Sequence, residues 1–294
     1  MSNLINTYNL IAHRGLTERA LENTESSFTD ALADDRVWGI EIDVQMTKDN
    51  VLVLCNYSTL ADISNLDKKL SELTYEEISK IAIKHNIKRS LIAKTDYHEY
   101  NQMVKKLVEK WENTEDKIPT LNTILKIATA AKTKKPIFIE IKDNVHVGYQ
   151  NTYATLLLEA TKGELDIRFI SRYPNILISM KELNPKGKYY SLLGWTEDEV
   201  NAGVMFSKEN DLSGYSVGAN WLAHEVGGKT VVEHIAESGK ELNVWTINEL
   251  HAATGYDKTI EILNSTIIDP EKISLTTDLV SVIYSYQQSF SNED

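Results

Sequence analysis

Val37-Trp38-Gly39-Ile40-Glu41-Ile42-Asp43-Val44 is the stretch whose reading decides the fold. An apolar run that ends in charge reads as a buried parallel strand delivering side chains to a shared mouth. Three other segments repeat the pattern. Leu10-Ile11-Ala12 runs into His13-Arg14-Gly15, Pro136 to Ile139 into Glu140-Ile141-Lys142, and Leu242 to Val244 into Trp245-Thr246-Ile247-Asn248. Strand ends of this kind gather at one face of a barrel or open α/β sheet, so the pattern predicts an enzyme with one site.

Working outward, strand and helix patterns alternate. Phe28, Ala31 and Leu32 recur at helical spacing in Ser26 to Ala33, and Asn122 to Ala131 reads as a further helix opened by Ile118-Pro119-Thr120-Leu121. Thr74-Tyr75-Glu76-Glu77 has the spacing of a capping box ahead of Ile78, Ile81 and Ile83. Candidate strands continue at Ile167 to Ser171, Tyr189 to Leu193, Tyr215 to Ala219, Asn243 to Ile247 and Ile273 to Thr277. With the strands at Leu10, Val37 and Pro136 these make eight, predicting a TIM (β/α)8 barrel. Thr47-Lys48-Asp49-Asn50 leads into Val51 to Cys55 through a connection too short for a parallel crossover, so a β-hairpin follows strand 2. Its return strand would bring Asn56 level with Ile42 and Asp43, facing the same site. A polar and charged segment from His85 to Lys117, with an amphipathic helix near Tyr100 to Trp111, reads as an insertion or lid. No compositional break appears, so the expectation is a single domain over 1–294 with a helical insertion at about 61–117.

Bulk composition narrows the function. The chain has 294 residues, and 43 acidic against 31 basic residues give a formal charge of -12, which argues against a nucleic-acid or anionic-membrane surface. One cysteine, Cys55, excludes an intrachain disulfide and a cysteine-rich zinc site. Met1 to Tyr8 lack the features of a signal peptide and no run is long enough to span a bilayer, so a soluble, cytoplasmic protein without membrane insertion is expected. Oligomeric state is not readable.

Glu41 and Asp43, two apart on a strand, point to one face. With Glu140 they could complete an oxygen-rich site for Mg2+ or Ca2+, or could pair with nearby Lys or Arg. His13 beside Arg14 offers a proton carrier next to a planar donor fork suited to phosphate, and Lys142 adds a second cation. Such groups are the parts that charge neutralisation and proton transfer on a phosphodiester need, which makes a small-molecule phosphodiester the expected partner.

The ordered series Ile11-Ala12-His13-Arg14-Gly15, Glu22-Asn23-Thr24 with Phe28, Glu41-Ile42-Asp43-Val44 with Thr47-Lys48-Asp49, Ile118-Pro119-Thr120-Leu121, Glu140-Ile141-Lys142, Val244-Trp245-Thr246-Ile247-Asn248 and Thr276-Thr277-Asp278 resembles the motifs of the glycerophosphodiester phosphodiesterase family. The resemblance implies a TIM-barrel enzyme that uses a divalent metal to hydrolyse deacylated phospholipids to glycerol 3-phosphate and an alcohol. It implies metal ligation by Glu41, Asp43 and Glu140, phosphate contacts by Arg14 and Lys142, acid/base catalysis by His13, and a pocket-lining or simply packed Trp245. One position departs. Where the family carries a His-Asp pair, this chain has Asn56-Tyr57, and an amide cannot carry a proton near neutral pH. Leu21 also replaces a usual proline, and Ala61 to Asn65 lack an Arg-Thr-Thr-like segment. Two expectations follow: a phosphodiesterase with Asn56 at its second acid/base position, or a catalytically degenerate homologue that binds a phosphodiester or phosphorylated ligand without efficient turnover. His146 and His224 are candidate substitutes for the missing histidine, against the plainer reading of solvated loop residues.

Overall fold

The computed structural model describes residues 8–64, 66–84, 115–142 and 150–291. Its strands in chain order are β1 (Asn9–Ala12), β2 (Gly39–Met46), β3 (Leu52–Leu54), β4 (Ile137–Ile141), β5 (Ile167–Ser171), β6 (Lys188–Leu193), β7 (Gly214–Gly218), β8 (Glu225–Val226), β9 (Lys229–Thr230), β10 (Glu241–Trp245) and β11 (Ile273–Thr277). Eight of them pair in parallel in the order β1-β2-β4-β5-β6-β7-β10-β11, and β11 returns to β1, closing a TIM barrel. Described helices are α1 (Glu25–Ala33), α2 (Tyr75–Ser79), α3 (Leu121–Ala130), α4 (Gln150–Ala160), α5 (Pro174–Leu183), α6 (Glu197–Glu209), α7 (Val231–Ser238), α8 (Tyr256–Asn264) and α9 (Val280–Ser291).

Threonine marks many of the helix starts. Thr24, Thr74, Thr120, Thr196 and Thr230 each accept a hydrogen bond from the backbone N–H three residues on, a contact worth about 1 kcal/mol per helix. The capping box at Thr74 forms, with Glu77 Oε2 accepting from Thr74 N at 2.8 Å, but α2 stops at Ser79. Ile81 and Ile83 are spaced as on a strand, and Ile83 makes an antiparallel bridge to Asp116. The segment around α2 packs on the hairpin, where Leu60, Leu70, Leu73 and Ile78 form an apolar cluster with Val53 and Cys55. The helix predicted at Tyr100 to Trp111 lies outside the described residues.

The strands are buried on both faces, as a barrel wrapped by helices requires. Outward residues such as Ile40, Ile42, Ile137 and Ile139 pack under the helices, while Ile11, Phe138, Ile170, Tyr190 and Leu192 fill the interior. At the N-terminal end of the barrel Arg168 closes the lumen. Its guanidinium lies 5.1 Å from the ring centroids of both Trp38 and Phe138 and pairs with Asp166 and Glu241, while the Tyr190 hydroxyl donates to Glu241 at 2.8 Å. The open end of the barrel is therefore the C-terminal one.

The hairpin forms as the short connection predicts. β2 and β3 pair antiparallel with Val44 opposite Leu54, and Cys55 N donates to Asp43 O at 3.0 Å. Asn56 is thereby brought to the barrel mouth. Gln45 fixes the turn that follows, its Nε2 donating to Cys55 O at 2.7 Å and Tyr57 O at 2.8 Å.

Candidate active site

At the C-terminal mouth a cavity of about 590 Å3 is lined by His13, Arg14, Glu41, Asn56, Glu140, Lys142 and Trp245, among others. Asp43 lies fully buried in its wall. Register explains the acidic cluster. Glu41 and Asp43 share a face of β2 by the two-residue pleat, and Asp43 stands beside Glu140 in the β2–β4 pairing. Ligand oxygens of the three carboxylates lie within 4.8 Å of one another.

The turn after β1 supplies the next groups. Arg14 (φ 58°) and Gly15 (φ 87°) are both left-handed, and a Cβ at Gly15 would come within 2.5 Å of Ser27 Oγ, so glycine is required there. This turn lets Arg14 N donate to Glu41 Oε2 at 3.1 Å. The Arg14 side chain donates from Nη1 to both Glu22 oxygens at 3.1–3.2 Å. Its Nε faces Asp43 Oδ2 at 3.0 Å, an ion pair without the alignment of a hydrogen bond. Asn23, also left-handed (φ 55°), holds Asp43 from behind: Asn23 Nδ2 donates to Oδ2 at 2.8 Å and Asp43 N donates to Asn23 Oδ1 at 3.0 Å.

Lys142 sits between two of the acids, its Nζ at 2.8 Å from Asp43 Oδ1 and in contact with Glu140 Oε1. Burial opposes charge on both Asp43 and Lys142, but mutual attraction wins: the Asp43 carboxyl is held well below its ordinary range and the Lys142 ammonium above its own. Glu41 goes the other way. Burial, and then the neighbouring charge on Asp43, push it up from 4.5 to about 8, and its Oε1 is buried with no hydrogen-bond partner. Glu22, Glu41, Asp43, Glu140 and Asp278 together face two fixed cations, Arg14 and Lys142, and one imidazole. With all five carboxylates ionised, as a bound cation would require of Glu41, and His13 protonated, two negative charges are left over, the excess a single divalent cation would balance. The hard oxygen donors and the orphaned Glu41 oxygen both fit Mg2+ or Ca2+.

His13 is fixed by a residue from the far end of the sequence. Its Nδ1 lies 2.7 Å from Asp278 Oδ1, leaving Nε2 3.9 Å from Glu41 Oε2. Asp278 is braced by Asn248, whose Nδ2 donates to Asp278 Oδ2 at 2.5 Å and whose Oδ1 accepts from Asp278 N at 2.9 Å. Burial and Arg14 favour the neutral imidazole, but Asp278, its hydrogen bond and Glu41 outweigh them and raise the His13 pKa above 6.5.

His13, Arg14, Glu41, Asp43, Asn56, Glu140, Lys142 and Trp245 all stand at this mouth. Asn56 lines the cavity, and the Tyr57 hydroxyl is bound to Glu22 and pushed above its ordinary pKa, chiefly by burial. Trp245 lines the cavity 5.4 Å from the Trp195 ring, with its Nε1 buried and unpartnered. Cys55 is buried in the hairpin cluster, as its position suggests. His224 is not among the lining residues; its Nε2 lies 3.0 Å from Asn201 Oδ1 and its ring stands edge-on to Trp221. His146 lies outside the described residues. Sequence reasoning missed the clamp of Asp278 and Asn248, the buttress of Glu22 and Asn23, and the lining residues Arg172 and Trp195.

The acidic trio, the imidazole and the two cations thus stand at the C-terminal mouth of a parallel barrel, the end where active sites of this fold are built. The family model described as "Glycerophosphoryl diester phosphodiesterase family" matches residues 13–270, and the chain belongs to that family. Human glycerophosphodiester phosphodiesterase 1 is 27% identical over 138 residues, 46% of this chain and 34% of that protein. A glycerophosphodiester phosphodiesterase of Caldanaerobacter subterraneus is 40% identical over 75 residues, 24% of this chain and 29% of the other. The matched stretches thus span about a third of these relatives. Two solved structures share the fold over nearly their whole length. A glycerophosphodiester phosphodiesterase of Parabacteroides distasonis has a TM-score of 0.67 at 21% identity, covering 96% of this chain and 98% of that one. An Oleispira antarctica phosphodiesterase in complex with the product sn-glycerol-3-phosphate has a TM-score of 0.67 at 19% identity, covering 94% and 95%.

Proposed function

We propose that this chain hydrolyses glycerophosphodiesters to glycerol 3-phosphate and an alcohol in the cytoplasm, as one barrel domain carrying residues 61–117 as an insertion. The observation that carries the reading is the trio of Glu41, Asp43 and Glu140, with Glu41 Oε1 buried and unpartnered, beside His13 and Arg14. Glu41, Asp43 and Glu140 would hold Mg2+ or Ca2+. When bound, that cation neutralises charge on the phosphoryl oxygens. Arg14 and Lys142 contribute fixed positive charge from the cavity wall, and the indole of Trp245 adds an apolar surface to it.

His13 is the proton carrier. With Nδ1 engaged by Asp278, Nε2 is the nitrogen free to face substrate, and the Asp278 carboxylate favours the charged imidazole that would protonate the leaving alcohol oxygen. Asn56 stands where a second acid/base group would act and supplies hydrogen bonds only. Tyr57 is no substitute, since its phenol is held protonated.

One observation favours the second reading, a phosphodiester-binding homologue with impaired turnover: among the described residues no histidine but His13 lines the cavity. The two are separated by glycerol 3-phosphate release from glycerophosphocholine and glycerophosphoethanolamine with Mg2+ or Ca2+. Activity in the unaltered chain that disappears in His13→Ala supports hydrolysis. Silence there, with activity appearing in Asn56→His/Tyr57→Asp, supports the binder. On the first reading the double variant gains about 100-fold to 10,000-fold.

A further inference from the structure

The groups assigned so far stand on or after β1, β2, β4, β10 and β11, with Asn56 after β3. The same cavity is lined by Arg172, which follows β5, and Trp195, which follows β6, and the proposed reaction uses neither. The Arg172 guanidinium lies 4.3 Å from the Trp195 ring centroid, and Trp195 leans in turn on Trp245. Behind it, Glu199 in the first turn of α6 accepts from Arg172 Nη2. Glu199 is itself set by the helix cap, its N–H donating to Thr196 Oγ1 at 3.3 Å, and is not among the lining residues.

A guanidinium clamped by an indole and by a carboxylate behind it is pre-oriented, so its remaining N–H donors lose little freedom on meeting a ligand. We infer that Arg172 is a specificity-determining residue that binds a carboxylate on the alcohol arm of the diester, an inference resting on the phosphodiester reading of this cavity. Arg14 and Lys142 already provide for the phosphodiester anion, so a third cation, set after the adjoining strand β5, serves a second anion. A bare indole face would suit a quaternary ammonium. Here Arg172 stacks on Trp195 and repels such a group, which turns the subsite from choline towards an acidic alcohol.

Glycerophosphoserine and glycerophosphoethanolamine differ by one carboxylate and make the comparison clean. Steady-state kinetics and calorimetric affinity in Ca2+, on the full chain, are expected to favour the serine diester about 10-fold to 100-fold through KM and Kd with little change in kcat, the worth of one charged bidentate contact. Arg172→Gln should remove that preference, Arg172→Lys should keep only part of it because the planar fork is lost, and Glu199→Gln should retain it. Equal KM and Kd for the two diesters, or a preference that survives Arg172→Gln, overturns the inference. An affinity preference without turnover would sustain Arg172 and sink the hydrolysis reading; turnover without preference does the reverse.

Discussion

Removing the charge of Glu41 should stabilise the metal-free protein, most of all at alkaline pH. Glu41 is buried beside Asp43, and its pKa is raised from 4.5 to about 8. Between those values the folded chain binds a proton that the unfolded chain has released, so stability is fully present below pH 4.5 and is lost as pH rises through about 8. At 1.36 kcal/mol for each pH unit separating the two values, the loss is roughly 5 kcal/mol, a large share of an ordinary domain's stability. His13, also raised, loses stability in the same direction as pH rises through its own folded value. The informative quantity is therefore the difference between wild type and Glu41→Gln. Urea unfolding in chelator from pH 5 to pH 8.5 should give a falling curve for the wild type and a much flatter one for the variant, the two separating as pH rises. Adding Mg2+ or Ca2+ should restore the wild type at high pH, by about 2.7 kcal/mol at a hundredfold excess over Kd, and leave Glu41→Gln nearly unmoved. Parallel curves in chelator, or equal rescue of both proteins by metal, would refute the assignment of Glu41 as the orphaned ligand.

Other consequences are more local. Asp278→Asn leaves burial and Arg14 to act on His13 without their main opponent, so the midpoint of the His13 ring protons in an NMR titration should drop from above to below 6.5; an unmoved midpoint would show that Asp278 does not set it. Asn23→Ala deletes both buried hydrogen bonds to Asp43 and leaves a β-carbon at φ 55°, and should cost about 2–4 kcal/mol in urea unfolding while weakening metal affinity. Arg168→Met breaks the ion pairs at the closed end of the barrel. Because Asp166 and Glu241 are each about one-third exposed, the loss should be about 2–3 kcal/mol, below the roughly 3–5 of a fully buried pair, with KM unchanged because the mouth is at the other end.

Much of the barrel was legible because its signals are short-range. The pleat that puts Glu41 and Asp43 on one face needs only two residues of context, and the Thr47 to Asn50 turn is tight enough to force an antiparallel return that carries Asn56 to the mouth. The capping box at Thr74 announced α2, and the spacing of Phe28, Ala31 and Leu32 announced α1. What the sequence could not announce depends on closure. Asp278 is 265 positions from His13, and nothing local says that the residue after β11 will meet the one after β1. Arg172 reads as an ordinary charge after a strand, and only the neighbouring turn at Trp195 gives it a stacking surface and a place in the cavity. The ammonium of Lys142 rests between Asp43 and Glu140, a placement that depends on the pairing of β2 with β4 and is not legible locally. Ile81 and Ile83 misled in a different way, continuing a helical count that had already become a strand-like alternation.

The placement of the His13 clamp also sets an order of assembly. Translation runs from β1 to β11, so the three carboxylates exist once Glu140 has left the ribosome, when less than half of the barrel has been made. The imidazole waits for Asp278, which arrives with the strand that seals the barrel. A nascent chain can thus carry all three carboxylates while lacking the partner that raises the His13 pKa. The imidazole clamp comes last, in step with closure, and a chain stalled before β11 would hold the acidic cluster without it.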